Sequence, residues 1–182
     1  LDNRRAFLAS AEHALAHAAR KSESLALLIL DLDDFKRIND THGHRIGDLV
    51  LVAVADILAR SVRTPFDVVG RVGGEEFAVL LPGCDEAAAR WVAEDIRAAI
   101  EAARVSTPAG EILATASIGC ASIAVGDSVS AALQQADEAL YAAKRGGRNR
   151  VALSAAGGAT AFGQRLDRQR SDAGREPLKR SA

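Results

Sequence analysis

The chain has 182 residues, 48% of them hydrophobic and 26% charged, with a formal net charge of -1. That length carries one domain and some excess, and that charge balance argues against a nucleic-acid-binding surface. The apolar runs at residues 25–30 and 49–55, the latter the longest, are too short to span a bilayer, and no signal-peptide pattern opens the chain, so a cytoplasmic domain without membrane contact is expected.

Residues 1–19 predict a helix with Phe7, Leu8, Ala11, Leu15 and Ala18 on one face and Asp2 or Asn3 as its cap. Residues 25–32 are apolar as far as Leu30 and then reach acids from Asp31, the pattern of a strand buried on both faces. A short helix is expected over residues 34–39, then a loop at 41–47. An amphipathic helix follows from about Asp48 to Val62, with Leu49, Val52, Ala53 and Leu58 as inward candidates. Pro65 ends that pattern. Residues 67–72 and 77–81 read as a hairpin turning at Gly73, Gly74, Glu75 and Glu76. A second long helix spans 85–103, a strand 111–123, a further helix 130–144 stopped by Gly146 and Gly147, and a last short strand 150–153.

From residue 154 the apolar pattern ends, and 154–182 reads as a flexible basic tail with a helical turn near 162–170. That tail carries six Arg and Lys against three Asp and Glu, which leaves residues 1–153 at 17 minus 21, or -4. The chain contains no Met and begins at Leu1. A domain excised from a longer protein is the expectation, with sensory modules or a membrane anchor upstream. Cys84 and Cys120 lack metal-ligand spacing and are expected to be reduced.

The element order implies an α/β (α+β) fold with a ferredoxin-like, palm-type, mostly antiparallel central sheet flanked by helices. If the first strand runs opposite to the second hairpin strand beside it, the hairpin tip lies at its carboxyl end. Asp31 then meets Glu75 and Glu76 at one sheet edge. Taken alone, Asp33 and Asp34 read as helix caps and the Gly-Gly-Glu-Glu stretch as a solvated turn. Brought together, the acids suit a hard divalent cation, which takes one or two carboxylates and completes its shell with phosphate and water. Lys36 lies one turn past the acids, within reach of a phosphate. Asn39 and Asp48 have the groups that suit guanine, since a carboxylate accepts from its N1–H and amine and repels the bare ring nitrogen of adenine. Each also reads as a turn or cap residue.

Five blocks give these features a family. Leu1 to Phe7 (LDNRRAF), residues 31–51 (DLDDFKRINDTHGHRIGDLVL), the loop GGEEF at 73–77, ATASIGCA at 114–121 and ADEALYAAKRGGRNRV at 136–151 occur in order. Together they resemble the GGDEF family of diguanylate cyclases, in its GGEEF variant. The resemblance implies a nucleotidyl-cyclase-like domain over 1–153 that condenses two GTP into cyclic di-GMP and pyrophosphate. It implies magnesium, with manganese as a substitute, held by Asp31, the Leu32 carbonyl and Glu75. Glu75 and Glu76 would be catalytic, and Asp34, Phe35, Lys36, Asn39, His44, Asp48, Lys144 and Arg148 would bind GTP. Tyr141 and Leu140 are expected to pack their helix. A homodimer is implied, because each domain presents one GTP, as is an upstream sensory domain. The alternative from another class is a catalytically silent module that binds GTP to regulate a fused partner.

Many family members carry an RxxD product-inhibition site before the signature loop. Here Thr64 stands at the Arg position, with Asp67 and Arg71 as the remnant. Arg63, one residue out of register, is expected to point elsewhere, and feedback inhibition to be weak or absent. His13 and His17 are expected to be a surface pair and Trp91 a helix-packing residue.

Overall fold

A computed structural model describes residues 1–124 and 127–154. The basic tail expected at 154–182, and its helical turn, lie outside the described residues apart from Ser154. In chain order the elements are β1 (Asp2–Asn3), α1 (Arg4–Lys21), β2 (Leu25–Leu32), α2 (Phe35–His42), α3 (His44–Ser61), β3 (Val68–Arg71) and β4 (Glu76–Pro82). They continue with α4 (Glu86–Ala102), β5 (Val105–Thr107), β6 (Gly110–Ile112), β7 (Ala116–Ile123), α5 (Val129–Arg145) and β8 (Val151–Leu153).

Six strands form one sheet in the order β1-β3-β4-β2-β7-β8. The pairs β3–β4, β4–β2 and β2–β7 are antiparallel, whereas β1 joins β3 and β8 joins β7 in parallel. The four inner strands have the ferredoxin-like arrangement expected from the element order. All residues of β2 are buried, Asp31 included, as the apolar run of residues 25–30 requires. Its alternate side chains serve two cores. Ala26, Leu28, Leu30 and Leu32 pack with Val50, Val54 and Leu58 of α3 and Ala93 and Ile96 of α4. Leu25, Leu27 and Ile29 pack with Phe7 and Ala11 of α1 and Ala136 and Leu140 of α5.

Helix starts follow their capping residues. Asn3, Asp85 and Ser128 accept from the backbone N–H of Ala6, Ala88 and Ala131 at 3.0, 2.8 and 3.1 Å. The expected loop at 41–47 is instead almost all helix, broken only at Gly43, whose φ of 84° turns α2 into α3. Starting α3 at His44 resets its inward face to Ile46, Val50, Leu51, Val54 and Leu58. Leu49 and Val52, expected inside, are exposed.

The strand expected over 111–123 is two. β6 pairs with β5 in a separate hairpin, and only β7 enters the main sheet. The break falls where Thr115 leaves the strand path to bind Asp33, accepting from the Asp33 N–H at 2.8 Å and donating its hydroxyl to the Asp33 carboxylate at 2.8 Å. Trp91, expected to pack its helix, is 70% exposed. Leu140 is buried, while Tyr141 is half exposed with the Arg145 guanidinium 5.8 Å above its ring. His13 and His17 are exposed. Cys84 and Cys120 are buried free thiols, and burial pushes the Cys120 thiol up to about 12. No helix among the described residues is long and apolar enough to cross a membrane.

Candidate active site

The carboxyl end of β2 and the β3–β4 turn meet as their register dictates. Asp31 lies opposite Glu76 across the β2–β4 ladder, and the next N–H, that of Leu32, donates to the Glu75 carbonyl at 3.3 Å. The turn is closed by the N–H groups of Val72 and Gly73, both donating to the Glu76 carbonyl, at 2.9 and 3.2 Å. The Glu76 carboxylate folds over Gly73, so a side chain at 73 would displace Glu76 Oε2. Arg71 braces the tip, donating twice to the Gly74 carbonyl at 3.0 and 2.6 Å.

α5 delivers a cation to this edge. It packs directly on β7 at Gly119, where a Cβ would strike the Ala136 carbonyl and the Leu140 backbone. That close seat carries Lys144, in the last turn of α5, to Asp31, with Nζ 2.7 Å from Oδ2. Burial nevertheless holds the Asp31 carboxyl above its ordinary value. The Lys144 hydrogen bond and charge pull the other way, and the charges of Glu75 and Asp33 add to the rise. Burial also raises the Glu76 carboxyl, with the Asp31 charge the next contribution. The edge is thus rich in negative charge against one close ammonium. Among the described residues no three acidic, His or Cys side chains form a ready-made metal cage. The donors that this edge offers in Asp31, Glu75 and Leu32 are two carboxylates and a peptide oxygen. They fit a hard cation that draws the rest of its shell from phosphates and water.

The segment after β2 adds groups suited to a nucleotide. Asp34 holds a left-handed φ of 52° before α2 and gives no side-chain cap bond; the Arg37 N–H donates to the Asp34 carbonyl at 2.8 Å, which leaves the N–H groups of Phe35 and Lys36 as the orphan donors of the helix start. The Phe35 side chain is core, which leaves only its backbone to face a ligand. Lys36 is exposed one residue further on. Asn39 packs its amide against the backbone of Gly47, a space that any side chain at 47 would fill. That packing sets Asn39 beside the first turns of α3, where His44 and Asp48 are exposed. Arg148, after α5, places Nε 3.5 Å from Asp34 Oδ1.

The remnant pair behaves otherwise than its spacing suggested. Arg63, expected to point away, instead engages Asp67 through its backbone N–H at 2.7 Å and its guanidinium at 2.7 and 3.1 Å. A tight turn causes this, since the N–H groups of Phe66 and Asp67 both donate to the Arg63 carbonyl. Arg71 is turned to the signature loop. Sequence reasoning also missed Asp33, which is buried and accepts three hydrogen bonds. The signal was present in Thr115 and Ser117, two hydroxyls bracketing the first residue of the last long strand.

Residues 1–150 match the family model described as "Diguanylate cyclase, GGDEF domain". The chain belongs to the GGDEF domain family.

Relatives of this GGDEF domain are bacterial. It is 43% identical over 138 residues to diguanylate cyclase A of Treponema denticola, covering 75% of this chain and 37% of that protein. It is 40% identical over 154 residues to diguanylate cyclase DgcP of Pseudomonas aeruginosa, covering 85% and 23%. The chain therefore spans well under half the length of these curated relatives. Among solved structures, the active GGEEF domain of a diguanylate cyclase from Vibrio cholerae superposes with a TM-score of 0.80 at 34% identity, covering 86% of this chain and 99% of that one. The GGDEF domain of DgcB from Caulobacter crescentus, in complex with c-di-GMP, superposes with a TM-score of 0.80 at 36% identity, covering 84% and 91%.

Proposed function

We propose that residues 1–153 form a magnesium-dependent diguanylate cyclase domain, turning two GTP into cyclic di-GMP and two pyrophosphates. The observation that carries this reading is the juxtaposition of the β2 acid and the signature turn, with Asp31 opposite Glu76 and the Leu32 N–H on the Glu75 carbonyl.

Asp31, Glu75 and the Leu32 carbonyl would hold the metal, magnesium or in its place manganese. When bound, it would neutralise triphosphate charge and lower the pKa of the ribose 3′-hydroxyl. Asn39 and Asp48 hold guanine by its hydrogen-bonding edge, with His44 beside the nucleotide. Lys36 and the N–H groups at the start of α2, by Asp34 and Phe35, take phosphate oxygens from one side. Lys144 and Arg148 take them from the other. The 3′-oxygen of one GTP attacks the α-phosphorus of a second, the bond to the pyrophosphate leaving group breaks, and the hydroxyl proton passes to Glu75. Glu76 supports Glu75 from inside the turn. The reciprocal attack closes the ring.

One domain holds one GTP, so two domains must face each other as a symmetric homodimer. An upstream sensory domain that aligns them fits relatives much longer than this chain. The cytoplasm, where GTP is abundant, is the compartment the reaction requires.

The test is to incubate the protein at high concentration with GTP and magnesium and to identify products by chromatography. Cyclic di-GMP, formed at a rate that rises faster than linearly with protein concentration, is expected. GTP that binds but stays unconverted, even in a forced dimer, would favour the silent module instead.

A further inference from the structure

The buried carboxylate of Asp33 plays no part in the steps above, although it follows Asp31 by two residues. Its Oδ1 accepts from the Ser117 hydroxyl at 2.7 Å, and its Oδ2 accepts from the Thr115 hydroxyl at 2.8 Å and the Asn149 backbone N–H at 3.0 Å. Asn149 is held from its other end as well. Its side-chain amide donates to Glu101 Oε1 at 2.7 Å, and its Oδ1 accepts from Arg97 at 2.9 Å. Arg97 is itself fixed by Glu94 and Glu101 on α4, at 2.8 and 2.7 Å. One polar chain thus runs from the end of β2, through the loop after α5, to the surface of α4.

That loop is strained. Gly147, Arg148 and Asn149 hold φ of 114°, 63° and 45° in succession. Glycine adopts this region without penalty and Asn tolerates it, but a long branched-out cation such as Arg does not favour it. Such a conformation persists only where its surroundings over-determine it. The helix C-cap holds one side of it, with the Arg148 N–H on the Ala143 carbonyl at 3.2 Å and Arg150 Nε on the Arg148 carbonyl at 3.1 Å; Asp33 and the Arg97–Glu101 pair hold the Asn149 side. What they hold in place is Arg148, whose guanidinium then leans over Asp34 at the start of α2.

We propose that Asp33 and Asn149 are positioning residues that present Arg148 to the β- and γ-phosphates of GTP. The proposal rests on the cyclase reading for the identity of the ligand. It assigns the triphosphate tail, and not the guanine, to this arm of the site. A nucleotide without the outer phosphates is indifferent to the network.

The test uses Asn149→Gly, which suits the left-handed backbone and keeps the N–H on Asp33 while removing both side-chain bridges. Binding of 3′-deoxy-GTP, which lacks the attacking oxygen, and of GMP is measured with magnesium present. Asn149→Gly is expected to weaken 3′-deoxy-GTP about tenfold, within the coupling range of residues sharing a hydrogen-bond network. GMP binding should stay within about twofold, since coupling of that size acts only through the shared network. In an Arg148→Ala background Asn149→Gly should add nothing. Glu101→Ala, a surface change that frees the Asn149 amide, should give the same selective loss in weaker form. Equal loss of both nucleotides, no loss of either, or effects of Asn149→Gly and Arg148→Ala that multiply would each overturn the positioning role. A wild-type protein that binds neither nucleotide would instead sink the cyclase reading, and the positioning role with it.

Discussion

Lys144 Nζ lies 2.7 Å from Asp31 Oδ2, so the last turn of α5 places its ammonium on the carboxylate that ends β2. Two segments more than a hundred residues apart in the chain are thereby joined at the sheet edge that also carries the signature turn. The ion pair is the site's electrostatic hinge point, since the same carboxylate is the one proposed to hold the metal.

Asp31→Asn and Glu75→Gln should both leave the fold intact and abolish most turnover. Loss of a positioned proton acceptor costs about 10²-fold or more, which sets the expectation for Glu75→Gln, and Asp31→Asn should lose at least as much. Steady-state assays of cyclic di-GMP formation, with circular dichroism as the control for folding, measure this.

Asp48→Ala should weaken GTP binding and erode selection against ATP. A hydrogen bond to a charged group is worth about 1.5–3 kcal/mol, so about a 10- to 100-fold rise in KM for GTP is expected, with a smaller change in kcat. Competition between GTP and ATP for the variant reads the outcome. Unchanged discrimination would remove Asp48 from the guanine contact.

Cyclic di-GMP should inhibit the enzyme weakly or not at all through the segment before the signature turn. Thr64 supplies no guanidinium, and the Asp67 side chain is only 2% exposed because Arg63 covers it. Titrating cyclic di-GMP into the assay at fixed GTP tests this. Strong non-competitive inhibition that Asp67→Ala relieves would contradict it.

Glu76→Gln should stabilise the protein at neutral pH in the absence of metal and nucleotide. Burial, then the Asp31 charge, raise the folded-state pKa of Glu76. A carboxyl raised on folding supports the folded state most fully below its unfolded pKa, and that support is lost as pH rises through the folded pKa. The variant should therefore melt higher than wild type at pH 8. The difference should shrink as pH falls towards the ordinary glutamate value of 4.5. Melting curves across that range decide it, and a wild type that melts higher at pH 8 would refute it.

The central sheet was legible because β2 has no polar interruption before Asp31 and the hairpin is marked by its glycines. The convergence of Asp31 with Glu75 and Glu76 followed from strand direction alone. The α2–α3 boundary was not legible. A His-Gly-His stretch looks like a loop, yet one left-handed glycine suffices to join two helices there. The split of the 111–123 strand was also hidden, because it depends on a tertiary bond from Thr115 to a buried acid 82 residues away. Arg63 was misjudged because counting residues assumes an even chain path, and the tight turn at 63–67 is not even. The phosphate arm could be named by resemblance, but its strained support at Arg148 and Asn149 required coordinates.

Cyclisation of GTP is tested most directly by following magnesium and GTP with the dimerised protein by phosphorus NMR. The GTP signals are expected to give way to one cyclic phosphodiester product for every two pyrophosphates. Intact GTP, or conversion to GDP and inorganic phosphate, would contradict it.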